Sequence, residues 1–193
     1  MTRKQKQALL SYLGAYDGPL DGIWGEKSQW ATIDFQRGYM AQEDVDGIFG
    51  AATEKRILEV IATGEEPVVA NNAATNTLGW WKYIRYFTRS EFRCPCGKCG
   101  GFPVEPDETL VRLADQVREH FGAPIIVSSG VRCQAHNDEL PGSAKNSYHV
   151  KGKAMDFCVL GVPGATLLAY VKQLPVHYAY QINGSDFVHM DVT

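Results

Sequence analysis

A five-residue segment of the form Asp-Gly-Ile-aromatic-Gly occurs twice near the N-terminus. It spans residues 21–25, with Trp24 as the aromatic residue, and recurs 25 positions later at residues 46–50, with Phe49. An Asp-Gly pair favours a tight turn, and the second glycine lets the loop close before a helix begins. The repeat therefore predicts two turn–helix units, with the isoleucine of each copy buried behind its turn.

The flanking residues predict three helices in this region. One is expected from about residue 4 to residue 13, and one after each copy of the repeat, because apolar residues there recur at helical spacing. Ser28 and Thr53 are expected at the N-terminal cap or in the first turn of the second and third helices. Residues 1–63 are therefore predicted to form a small three-helix domain.

Residues 64–77 are polar, rich in small side chains and without helical or strand periodicity, which predicts a linker. The remainder, residues 78–193, is predicted to form a second domain of the α+β class, with a small, mostly antiparallel sheet and flanking helices. The predicted order is a helix, a strand, a long loop, a strand, a helix and two strands. These helices and strands cover residues 107–121, 124–128, 154–160, 163–174, 177–182 and 187–192, and the strand at 124–128 is expected to be buried.

The charge balance excludes some partners. The net charge is −3, so no strong electrostatic attraction to nucleic acid or anionic membrane is expected. No apolar run approaches the roughly 18 residues that a membrane span needs. The N-terminus lacks the pattern of a secretory signal, which predicts synthesis in the cytoplasm.

The string Ser147-x-His149-x-x-Gly152-x-Ala154-x-Asp156, together with His189, supplies two imidazoles and a carboxylate. Zinc accepts both ligand types, and three protein ligands leave a fourth position for water. Bound water of this kind has a pKa lowered to about 7, which gives hydroxide near neutral pH. The three residues therefore predict a catalytic zinc site and a hydrolase.

Both halves of the chain resemble known families. Residues 16–25 and 45–50, with Phe35 and Gln36, resemble the small helical peptidoglycan-binding domain of cell-wall hydrolases, over about residues 5–62. The zinc string, preceded by residues 128–133, is similar to the zinc D-alanyl-D-alanine carboxypeptidases and phage L-alanyl-D-glutamate endopeptidases, over about residues 84–193. Members of this metallopeptidase family share a fold with lysostaphin-type enzymes and the hedgehog signalling domain.

The second resemblance implies roles for individual residues. The zinc ligands of the family correspond to His149, Asp156 and His189. The family's general base lies three residues before the last histidine ligand, which is Asp186 here. Asp191 is an alternative base, because on a regular strand it shares a face with His189.

Two further residues are implied to contact the substrate. The guanidinium of Arg132, in the Ser-Gly-x-Arg string, is expected to face the oxyanion or a substrate carboxylate. Ser147 is expected to bind substrate or orient the site, or else to satisfy loop backbone.

Cys94, Cys96, Cys99 and Cys133 could form a second, structural metal site. A disulfide formed after export and free thiols packed in a small core are the alternatives at this stage.

Together these features predict a zinc-dependent, endolysin-like peptidoglycan peptidase that hydrolyses a stem-peptide bond, with L-alanyl-D-glutamate endopeptidase preferred. The alternatives are a D-alanyl-D-alanine carboxypeptidase and, in another class, a non-catalytic wall-binding or phage structural protein with a structural zinc. The predicted partner is bacterial peptidoglycan. The protein is expected to be a monomer that acts in the periplasm or cell wall after release from the cytoplasm.

Overall fold

The computed structural model describes residues 1–65 and 79–193, so the predicted linker lies almost entirely outside the described residues. The chain divides into two compact units, Met1–Asn71 and Asn72–Thr193. This division falls inside the predicted linker, and the domain limits at residues 63 and 78 stay a prediction.

The first unit contains three α-helices within residues 1–65. They are α1 (Arg3–Tyr12), α2 (Glu26–Tyr39) and α3 (Ala51–Thr63), with a short 3-10 turn at Gln42–Asp44. Their facing surfaces bury a small apolar core. Its buried members are Leu10, Tyr16, Ala31, Phe35, Phe49, Ile57 and Val60.

Each copy of the repeat is held by one buried glutamine. Gly22 N donates to Gln7 Oε1 (2.8 Å), and Gln7 Nε2 donates to Asp21 Oδ1 (3.1 Å). In the second copy Gly47 N donates to Gln36 Oε1 (2.8 Å), and Gln36 Nε2 donates to Asp46 Oδ1 (2.7 Å). Ser28 and Thr53 lie in the first turns of α2 and α3, where their hydroxyls accept from the same glutamines. The two loops are therefore built alike.

The prediction of buried isoleucines in the repeat is wrong. The side chains of Ile23 and Ile48 are 71% and 65% exposed. The carbonyl groups of both residues point inward instead and accept hydrogen bonds from the glutamine amides (3.0 and 3.2 Å). The aromatic residue that follows takes the apolar role, because Trp24 and Phe49 meet edge to face with ring centroids 5.9 Å apart.

The second unit is α+β, as predicted. It contains α4 (Glu108–Phe121), α5 (Gln134–Glu139) and α6 (Gly164–Val171), and 3-10 turns at Gly79–Tyr83 and Arg89–Phe92. Its four-stranded sheet has the order β1-β2-β4-β3, with every pair antiparallel. The strands are β1 (Ile125–Ser129), β2 (Ala154–Val159), β3 (Tyr178–Gln181) and β4 (Val188–Asp191).

The longest helix of this unit is capped at both ends. Asp107 Oδ1 accepts from Thr109 N (2.9 Å) at the N-terminus of α4, and Gly122 ends the helix in the left-handed region with φ of 61°. Such caps satisfy backbone groups that a helix end leaves unpaired. The apolar face of α4, with Leu113 and Val117 fully buried, packs against β2.

Three details differ from the predicted elements. Strand β1 is not wholly buried, because it lies at the sheet edge and Ile126 is 46% exposed. The segment predicted as a long loop contains α5, which is too short and too polar to show a helical period. Helix α6 ends at Val171 rather than residue 174.

Candidate metal centre

The register of two neighbouring strands builds the centre of the site. In the β2–β4 pair, Asp156 lies directly opposite His189. His149 enters from the loop that precedes β2, and its Nε2 lies 3.3 Å from Asp156 Oδ1. His189 Nδ1 lies 2.7 Å from the same oxygen. The structure thus brings the three predicted zinc ligands together, with one donor atom from each within 4.8 Å of the others.

The second nitrogen of each imidazole is held by an acceptor. His149 Nδ1 lies 2.8 Å from the carbonyl oxygen of Gly130, and His189 Nε2 lies 3.2 Å from Asp191 Oδ2. Metal-binding histidines are usually oriented in this way by a carbonyl or a carboxylate. The remaining atoms, two imidazole nitrogens and one carboxylate oxygen, are a donor set that zinc accepts. The residues present therefore fit a zinc ion.

Asp156 is the shared anion of the site. Burial alone would raise the pKa of Asp156, but hydrogen bonds with His149 and His189 hold that pKa well below its usual value. Its second oxygen, Oδ2, accepts from Arg132 Nη2 at 2.9 Å. The carboxylate is therefore ionised, with one oxygen toward the imidazoles and the other toward the guanidinium.

Arg132 is anchored by its own surroundings. Its Nε donates to Ser129 Oγ (2.8 Å), and its backbone N–H donates to the carbonyl oxygen of His149 (3.0 Å). These contacts place the guanidinium at the edge of the candidate metal centre, with 13% of the side chain exposed. Contact with substrate or an oxyanion stays a prediction for this residue.

The two candidate bases occupy different positions. Asp186 is exposed in the turn before β4, and its Oδ1 accepts from Gly164 N at 3.0 Å, at the start of α6. Asp191 is buried, and its two oxygens contact His189 Nε2 and His177 Nδ1 (2.7 Å). Asp191 therefore contacts a candidate ligand histidine from behind, and the role of Asp186 as the general base stays a prediction.

Ser147 and two glycines of the motifs shape the loops. Ser147 Oγ accepts from His149 N at 3.3 Å. Of the roles expected for Ser147, this contact is the hydrogen bond with the loop backbone. Gly152 has φ of 74°, and a Cβ there would collide with the carbonyl oxygen of Glu105. A Cβ on Gly130 would collide with the backbone of Phe92. Both positions need glycine because another chain segment passes too close for a side chain.

The sequence did not predict two features beside the site. They are the pair of tyrosines next to His189 and the contact of His177 with Asp191. Tyr180 lies opposite His189 in the β3–β4 pair, and the two rings stack with centroids 4.8 Å apart. Tyr178 lies one pair further along, opposite Asp191, and both tyrosines are partly exposed. The sequence did contain a signal for this pairing. If residues 183–186 form the turn of a hairpin, pairing the residues outward from that turn places residue 180 opposite residue 189.

The sequence model of the peptidase M15 family matches residues 85–191, a range that contains all three candidate ligands. The chain belongs to the peptidase M15 family. Residues 2–57 match the model of a putative peptidoglycan binding domain. The predicted family, with its N-terminal peptidoglycan-binding domain, is therefore confirmed.

Relatives of this M15 chain match either half. The probable peptidoglycan L,D-endopeptidase MepK of Haemophilus influenzae is 42% identical over 92 residues, which are 44% of this chain and 50% of that protein. The spore cortex-lytic enzyme of Bacillus subtilis is 40% identical over 52 residues, which are 27% of this chain and 17% of that protein. The chain thus spans half the length of the first of these relatives and less than a fifth of the length of the second.

Among solved structures, the L-Ala D-Glu endopeptidase ChiX of Serratia marcescens aligns with a TM-score of 0.37 at 18% identity. The alignment covers 46% of this chain and 80% of that one. Within residues 1–65 and 79–193, none of the helices has the length and apolar character needed to cross a bilayer.

Proposed function

We propose that this chain is a zinc-dependent peptidase that hydrolyses a stem-peptide bond of bacterial peptidoglycan. The observation that carries the proposal is the convergence of His149, Asp156 and His189, with each imidazole oriented by a second acceptor. Membership of the M15 family and the N-terminal match to a peptidoglycan binding domain support the substrate class.

Each group of the site would have a separate role in hydrolysis. Zinc, when bound, would lower the pKa of a water ligand to about 7 and polarise the scissile carbonyl. Asp186 would accept the proton of the attacking water and return it to the leaving amine. Its orientation is set by the hydrogen bond from Gly164 N. Arg132 would stabilise the developing oxyanion or hold a substrate carboxylate, as a guanidinium can do with two parallel hydrogen bonds.

Among stem-peptide bonds, we favour the L-alanyl-D-glutamate bond. A relative of the M15 half carries the name of a peptidoglycan L,D-endopeptidase, which supports cleavage within the peptide. A D-alanyl-D-alanine carboxypeptidase is the second candidate, because Arg132 at the edge of the site suits a terminal carboxylate. The chain would act as a monomer in the periplasm or cell wall after release, in the manner of a phage endolysin.

Mass spectrometry of purified muropeptides incubated with the full chain and zinc distinguishes the two reactions. The endopeptidase creates a new N-terminal D-glutamate, whereas the carboxypeptidase releases free D-alanine. Release of D-alanine without cleavage inside the stem would overturn the preferred bond but keep the peptidase.

The variant Asp186→Ala tests catalysis against mere wall binding. Loss of turnover of at least about 100-fold with zinc retained is expected, because general acid–base catalysis typically contributes that much. Asp138→Ala is the matched control, since Asp138 is an exposed carboxylate of the same unit, on α5. If neither the wild-type chain nor any variant cleaves muropeptides while zinc and wall binding persist, the chain is a non-catalytic wall-binding protein.

A further inference from the structure

Four cysteine sulfurs converge at a place separate from the candidate metal centre. Cys94, Cys96 and Cys99 lie in the loop that follows the 3-10 turn Arg89–Phe92, and Cys133 is the N-cap residue of α5. All four sulfurs lie within 4.8 Å of one another. Cys96 Sγ lies 3.4 Å from Cys99 Sγ and 3.7 Å from Cys133 Sγ, so one sulfur has two close neighbours.

Backbone amides point at these sulfurs. Lys98 N donates to Cys96 Sγ (3.3 Å), Cys133 N donates to Cys94 Sγ (3.4 Å), and His136 N donates to Cys133 Sγ (3.3 Å). Hydrogen bonds of this kind stabilise negative charge on sulfur, and groups that donate to a metal ligand tune its properties. The loop therefore gives the sulfurs polar contacts, unlike thiols packed in an apolar core.

Thiolates held at these distances would repel one another unless a cation lay between them.

We propose that Cys94, Cys96, Cys99 and Cys133 bind a second zinc ion in a closed tetrahedral site. A zinc–sulfur distance of about 2.3 Å places tetrahedral ligands about 3.8 Å apart, close to the separations seen here. Disulfides would join the sulfurs in pairs, whereas Cys96 is close to two partners at once. Four protein ligands leave no open position for water, so the site is structural.

The cysteine site lies next to a residue of the candidate metal centre. Cys133 follows Arg132, whose backbone N–H donates to the His149 carbonyl and whose guanidinium contacts Asp156. On the other side, Val131 N donates to the carbonyl of Phe92 (2.9 Å), just before the cysteine loop. The second zinc would therefore fasten the loop at 94–101 to the segment that positions Arg132.

Zinc-to-protein ratios of the full chain test this site. We expect two zinc ions per chain in the wild type, one in His149→Ala, and one in the double variant Cys96→Ser/Cys99→Ser. Cys158→Ser is the matched control and should keep two, because Cys158 is a buried cysteine of β2 outside the cluster. Retention of two ions in the double variant would overturn the proposal.

Cobalt substitution and intact mass provide readouts that do not depend on activity or on the folding of a cysteine variant. The His149→Ala protein loaded with cobalt should show thiolate-to-cobalt charge transfer in the near ultraviolet, and a thiol-specific mercurial should release the metal. Absence of that band, or an intact mass lower by the hydrogens lost in disulfides, would refute the second site. Because the His149→Ala protein lacks one ligand of the proposed catalytic ion, its result is independent of peptidase activity.

Discussion

At the residue scale, His189 is constrained on three sides. Asp156 lies at its Nδ1, Asp191 at its Nε2, and the ring of Tyr180 covers one face. Asp191 is in turn held by His177. A ligand histidine oriented in this way loses little conformational freedom on metal binding, which favours affinity.

Replacing Asp191 should weaken zinc binding without removing a ligand. For Asp191→Asn we expect a loss of zinc affinity of about 10–100-fold, as is typical for groups that orient a ligand histidine. Chelator competition measures it, with Asp138→Asn as the control. Activity should recover in part as zinc is raised. An unchanged zinc affinity would show that Asp191 does not orient His189.

Glu105 predicts a small pH effect on stability. Its hydrogen bond with Arg89 comes first among the groups that hold the pKa of Glu105 below its usual value of 4.5, with Trp81 as a further donor. Because the folded-state pKa is depressed, the stabilisation is present above pH 4.5 and is lost as pH falls through the folded-state pKa.

For Glu105→Gln, urea unfolding at neutral pH should show a loss below about 1 kcal/mol, since both partners are more than a third exposed. The difference from wild type should shrink below pH 4.5. The exposed Glu43 of the first unit offers a control substitution to Gln. A difference that grows on acidification would contradict the assignment.

At the element scale, the pairing of β2 with β4 sets the site, because it brings Asp156 opposite His189. The loop before β2 completes it with His149. Where that loop passes the Glu105 carbonyl, Gly152 adopts a positive φ and leaves no room for a Cβ. Packing of the loop, and not its hydrogen bonds alone, therefore fixes the third ligand.

Two alanine substitutions separate backbone strain from steric collision. Gly142 has φ of 77° with nothing near its missing Cβ, so Gly142→Ala should cost about 1–2 kcal/mol. Gly152→Ala carries the same strain plus the collision, which adds about 1–3 kcal/mol, and should also weaken zinc binding by moving His149. Chemical denaturation and zinc titration measure both effects. Equal costs for the two variants would contradict the close approach.

At the scale of the whole molecule, the chain joins two units that each have a buried core. One matches a putative peptidoglycan binding domain and the other carries the candidate metal centre. Binding of the first unit to an insoluble wall would raise the local concentration of the second at its substrate.

Removal of residues 1–71 should therefore affect insoluble and soluble substrates differently. We expect hydrolysis of intact cell walls to fall at least about tenfold, which is a modest share of the gain that tethering can give. Hydrolysis of soluble muropeptides, measured on the same preparation, should stay within about twofold and serves as the control. An equal fall on both substrates would argue against tethering.

The convergence of the three candidate ligands can be predicted from the sequence because it depends on local features. His149 and Asp156 lie in one short string, and a four-residue turn precedes β4 with His189. The support by Asp191 and His177 depends on strand register and side-chain rotamers, which a string does not encode. The exposed side chains of Ile23 and Ile48 differ from the prediction for a similar reason, since the buried amide of the glutamine on the preceding helix binds the carbonyl of each isoleucine.

The glutamine of each half-repeat has a consequence for how such modules arise. Gln7 and Gln36 each lie on the helix that precedes the turn they hold, so a segment from helix to second glycine brings its own internal bracing. A duplicated copy would therefore contain the residue that stabilises its own turn, and would need from its neighbours only an apolar surface to pack against. Short units of this kind can be gained or lost without rearrangement of the rest of the fold.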